Sequence, residues 1–92
     1  MRMKRAEKKL FRITDEIHAL AEEERLLTAE LAEHERLHHD ARLDAIDGDA
    51  DDRAAFAEIE PDLARFQRAV DDVRRKRAVL EEKRSTLLAK LD

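Results

Sequence analysis

The sequence predicts an all-α fold, a two-helix antiparallel coiled-coil hairpin with its turn near residues 48–49. Three observations carry this. Seam-type positions recur alternately three and four apart through both halves of the chain. Gly48, the only glycine, stands between the two ladders. Charged residues make up 46% of the 92 positions and aromatics 3%, which is the composition of a long helical chain, not of a globular core.

Helix 1 is expected over about residues 3–47. Its ladder reads Met3, Ala6, Leu10, Ile13, Ile17, Leu20, Glu24, Leu27, Leu31, His34, His38, Ala41 and Ala45. Helix 2 is expected over about 50–91, with Phe56, Ile59, Leu63, Phe66, Val70, Val73, Arg77, Leu80, Arg84, Leu87 and Leu91. A 3.5-residue repeat is the seam of a coiled coil. At 1.5 Å per residue each arm would be roughly 65 Å long. Together the two arms make residues 1–92 one helical hairpin.

The turn follows from local chemistry. Glycine is favoured just past a helix end, where the chain goes left-handed. Aspartate is a preferred N-cap, which suits Asp49, and Asp51 and Asp52 would then lie in the first turn, where the helix dipole favours anions. The register follows from the ladders. Pairs whose numbers add to 97 layer an a position on a d position throughout, from Ala6 with Leu91 to Ala41 with Phe56. In that register His34 faces Leu63, His38 faces Ile59, and Glu24 pairs with a seam arginine to fix the alignment. Glu16 is expected opposite Lys83 and Glu23 opposite Lys76. Such exposed pairs are worth only tenths of a kcal/mol and select register more than they stabilise it.

Pro61 interrupts helix 2 by removing the bond from its own nitrogen to the carbonyl of Ala57. Because the heptads pass through without a skip, a kink is expected there. The alternative is that the arm begins at Pro61, with 50–59 a separate short helix.

Composition also bounds function. A thin two-helix seam buries little per residue, so self-association or a protein partner is expected. The absence of cysteine removes disulfides and thiolate metal sites. Met1 to Lys9 has no signal-peptide core and no run is apolar enough to span a bilayer, so the chain reads as cytoplasmic, with no membrane partner. Charge is polarised. Residues 1–12 carry six basic side chains against Glu7, while residues 40–62 carry nine acidic ones against Arg42 and Arg53. Net charge is −4 and stacking aromatics are lacking, which argues against direct nucleic-acid binding.

Four patterns bear on chemistry. His34-Glu35-Arg36-Leu37-His38 matches H-E-x-x-H, in which two histidines a turn apart bind zinc and the glutamate is general base. Here Arg36 lies inside the motif, no strand is available to hold a substrate, and both histidines are seam positions. A simpler histidine/carboxylate site in a helical bundle would use His34, His38 and Glu60. Asp47, Asp49, Asp51 and Glu58 fall at ligand positions of a calcium loop, but Asp52 stands where that loop needs glycine. No catalytic set emerges, no cofactor is assigned, and the chain reads as non-enzymatic. Clustered seam histidines raise the further idea of pH sensing, since charging them would cost packing.

The fourth pattern is Asp49-Ala50-Asp51-Asp52-Arg53-Ala54 at the start of the second arm. It resembles the D-x-x-D-x-A tip of the DksA family, whose coiled-coil hairpin, like that of the Gre factors, enters the secondary channel of RNA polymerase. The resemblance covers six residues and the architecture; the family's cysteine-rich zinc domain has no counterpart here. It implies that Asp49, Asp52 and Ala54 are tip-interaction residues and that RNA polymerase is the partner of a transcription regulator.

Off the seam lie Phe11, Leu88, Leu26 and Val79, which have no intrachain role in the predicted register. They are the expected partner or dimer contacts, the latter in a four-helix bundle. The leading expectation is a protein–protein interaction module that self-associates or docks on a larger assembly. Transcription regulation through the acidic tip comes second and a metal-binding bundle third.

Overall fold

A computed structural model describes residues 4–91, so Met3 of the predicted first arm lies outside the described residues. Two α-helices account for all of these but Lys4, Gly48 and Asp49. Helix α1 runs Arg5–Asp47 and α2 runs Ala50–Leu91. The fold is the all-α helical hairpin the ladders predict.

Burial follows the ladders. Every seam position from Ala6 to Ala45 and from Phe56 to Leu87 is buried or half-buried. Leu91, the last rung, is 40% exposed. The described residues divide into two compact units, a base unit of residues 4–24 and 72–91 and a tip unit of residues 25–71. In the base unit Ile13, Ile17 and Val73 are buried, and in the tip unit Val70 is 2% exposed. Each such side chain contributes about 1.5–3 kcal/mol of transfer free energy.

Helix α2 continues through Pro61 without a break, so 50–59 is not a separate helix. Pro61 is exposed, which keeps its ring out of the seam, and Leu63 on the same stretch remains half-buried. One lost backbone bond is absorbed because the apolar layers on either side hold the helix in place.

The turn corrects one expectation. Gly48 does not adopt a positive φ. Glycine is required there for space. A Cβ at position 48 would overlap the Asp44 carbonyl oxygen and the Asp52 carboxylate, and would lie 2.7 Å from Asp52 Cβ.

Candidate interaction surfaces and the seam ion cluster

At the turn, two aspartates hold each other. Asp52 N donates to Asp49 Oδ1 at 3.1 Å, and Asp49 N donates to Asp52 Oδ2 at 3.2 Å. This is a capping box built from two aspartates, satisfying two backbone donors that the helix itself leaves unpaired. The first helical bond, Arg53 N to Asp49 O, follows at 3.2 Å. Arg53 then reaches back, its Nη1 donating to Gly48 O at 3.1 Å. That guanidinium supplies positive charge at the end of α1, whose last turn has no basic residue of its own. Asp49 and Asp52 are thus occupied as reciprocal caps. Ala54 is exposed, as is Asp51.

Further along the tip unit, His34 and His38 lie half-buried as seam residues. Each meets a phenylalanine one layer away from the apolar residue the register places opposite it. His34 stacks on Phe66 with ring centroids 4.3 Å apart, and His38 tilts against Phe56 at 4.9 Å. Flat rings in adjacent layers reach along the seam and gain more from each other than from branched chains across it. His38 Nε2 also lies 3.4 Å from Glu60 Oε1. Of the H-E-x-x-H set, Glu35 is exposed, and Arg36 is held on the outside by Glu33 at 2.5 Å and Asp40 at 3.6 Å. The Arg36 pair holds the Glu33 carboxyl below the usual glutamate range, chiefly by hydrogen bonding and then by charge. His34 is taken up by Phe66, so the candidate ligands His34, His38 and Glu60 do not converge. Among the described residues no three histidine, aspartate or glutamate side chains come together as a metal site.

In the base unit the one acidic seam residue of the ladders, Glu24, receives two arginines. Arg74 Nε donates to Oε2 at 3.0 Å, and Arg77 Nη1 lies 2.8 Å from Oε1. The second contact is a close ion pair without hydrogen-bond alignment, which is why Oε1 has no hydrogen-bond partner although it is fully covered. Of the seam arginines Arg77 and Arg84, Arg77 is the partner, and Arg74 joins it from the basic run 74–77 that the register sets opposite Glu22-Glu23-Glu24. Neither Glu16 with Lys83 nor Glu23 with Lys76 forms an ion pair among the described residues. Holding two long side chains together at an exposed flank costs more rotamer freedom than the weak attraction returns.

The off-seam apolar residues are exposed as expected: Phe11 at 58%, Val79 at 53%, Leu26 at 51% and Leu88 at 45%. Val79 has surroundings that the sequence did not reveal. It lies with Ala19, Leu20 and Leu80 in an open apolar trough on the base unit, which continues past Ile13 and Leu87. Phe11 and Leu88 line neither stretch of this trough. In the tip unit Leu37, Leu43 and Ile46 are also exposed, Ile46 at 67%. Their off-ladder positions were a sufficient signal, and the same reasoning that found Phe11 would have found them. Among the described residues no helix is long and apolar enough to cross a membrane.

The chain matches no protein-family model, and no curated protein and no solved structure matches it.

Proposed function

We propose that the protein is a non-enzymatic interaction module, a helical hairpin that works by presenting the outer faces of its helices to other chains. The observation carrying this is that Phe11, Leu26, Val79 and Leu88 stand about half or more exposed while the seam is completed without them. Large apolar side chains left outside a finished core lose stabilisation in water and regain it on an interface.

The regulator reading rests on the resemblance of the tip to hairpins that enter RNA polymerase. The capping box gives Asp49 and Asp52 a sufficient role in starting α2, so within the six-residue stretch that carries the resemblance Asp51 is the exposed acid outside the cap. The outer apolar faces therefore carry the better-supported function.

The test is affinity capture with the full chain as bait, comparing the unaltered sequence with a Phe11→Ser/Leu88→Ser double variant. Circular dichroism should show both folded alike. Capture of another protein or of further copies by the unaltered chain, falling at least several-fold in the double variant, is the expected result. Equal capture by both chains, or capture by neither, overturns the reading.

A further inference from the structure

We propose that the trough on the base unit receives the acidic outer face of α1 from the tip unit of a second copy of this chain. The assignment rests on the interaction-module reading and names both the surface and its occupant.

The trough has an apolar floor and a basic rim. Its floor includes Ala19, Leu20, Val79 and Leu80, and its edges carry Lys9, Arg12, Lys76, Lys83 and Lys90, with Arg75 already paired to Asp72, against Glu16 and Glu82. Such a surface fits an amphipathic helix that is apolar at the centre and acidic at the side.

The C-terminal stretch of α1 has that character. Leu43 and Ile46 are neighbours three residues apart on the helix, 53% and 67% exposed. Asp40, Asp44 and Asp47 form a row at spacings of four and three beside them, and all three are exposed. Asp40 faces Arg36 at 3.6 Å on its own helix, but helix stability does not explain Asp44 and Asp47. Asp44 and Asp47 lie in the last turn, the negative end of the helix dipole, where an acidic side chain is unfavourable. The seam does not explain Leu43 and Ile46 either, since both lie off its ladder. Docking on the basic rim gives both groups a role. The trough and the α1 face are different surfaces, so the contact joins unlike patches of two copies. It closes into a pair only if each tip engages the other's base.

Sedimentation equilibrium of the full chain tests this, using two charge-reversed variants. Lys76→Glu/Lys83→Glu alters the rim, and neither lysine forms an ion pair among the described residues. Asp44→Lys/Asp47→Lys alters the tip and improves the helix dipole, so folding is not put at risk. The unaltered chain should self-associate, and association should weaken about tenfold or more as salt rises from about 0.1 to 1 M and the Debye length shrinks from about 10 to 3 Å. Each variant alone should lose association, and an equimolar mixture should regain it, through one rim–tip contact with reversed charges and one with the original charges. Association unchanged in both variants, or a mixture that stays monomeric, overturns the proposal. So does a monomeric chain that binds an added acidic amphipathic peptide in the trough. Self-association abolished only by Phe11→Ser/Leu88→Ser overturns it too, and leaves the module reading intact.

Discussion

Asp49 and Asp52 cap one another, each carboxylate accepting from the other's backbone N–H at 3.1–3.2 Å. The D-x-x-D spacing at the turn therefore has a structural role. Replacing an N-cap aspartate by alanine costs about 0.5–2 kcal/mol, whereas asparagine caps equally well. Asp49→Ala is expected to lower stability by about 1 kcal/mol in chemical denaturation, and Asp49→Asn to leave it within a few tenths. Because Asn keeps the cap and removes the charge, the same variant separates the Asp49 charge from its capping role.

Gly48→Ala should destabilise through crowding. A methyl group there overlaps the Asp44 carbonyl oxygen, which is backbone and cannot swing aside. Overpacking of this kind costs about 1–3 kcal/mol. Since φ at Gly48 is not positive, the cost is not one of backbone handedness. Gly48→Asn, which would be tolerated at a left-handed cap, should be at least as damaging as alanine by thermal denaturation.

How much of this was legible beforehand depends on the length scale. The seam, the helix limits near 47 and 50 and the exposure of Phe11 and Leu88 follow from periodicity, because burying one stripe of a helix constrains every third or fourth residue. Gly48 was placed at the turn for the wrong reason. A composition rule identifies glycine at helix ends but cannot see the Asp44 carbonyl beside it. The pairing of His34 with Phe66 and the trough around Val79 depend on side-chain reach between layers, which a one-dimensional register does not contain. The facing charge runs 22–24 and 74–77 were legible, but not which of their members would meet, and it is Arg74 that reaches Glu24 from just outside the seam.

Glu24 is held between Arg74 and Arg77 with its side chain 16% exposed. Glu24→Ala removes both pairings and leaves Arg77 half-covered without its main partner. A loss of about 1.5–3 kcal/mol is expected, the range for hydrogen bonds to charged groups. Arg74→Ala should cost less, because Arg77 remains. Urea denaturation of the two single variants and the double variant measures this, and the double-variant loss should fall short of the sum, since the two share one carboxylate.

The Glu33–Arg36 pair gives a pH dependence with a definite sign. The Glu33 carboxyl titrates below the usual glutamate range in the folded chain, held down by its hydrogen bond and charge contact with Arg36. A depressed folded value means that the pair's contribution is present above the unfolded value and lost as pH falls through the folded one. Side-chain NMR titration should place the Glu33 midpoint below that of an isolated glutamate, and Arg36→Ala should raise it. An unmoved midpoint in Arg36→Ala would show that the arginine is not the cause.

Pro61 stands twelfth in the 42 residues of α2, well inside a helix that does not break around it. Proline in a helix interior removes one bond and crowds the preceding turn, a cost near 3 kcal/mol relative to alanine. At an exposed site in a continuous helix nothing in the seam depends on the ring, so Pro61→Ala should restore the bond to the Ala57 carbonyl and raise stability by up to about 3 kcal/mol. For a helical chain of this length, each kcal/mol corresponds to a melting shift of about 4–8 °C. Amide exchange at position 61 and its neighbours should slow in the variant. A melting point unchanged or lowered by the substitution would mean that the Pro61 ring is itself a packing element, against Ala57 or Ala64 along the groove it shares with them.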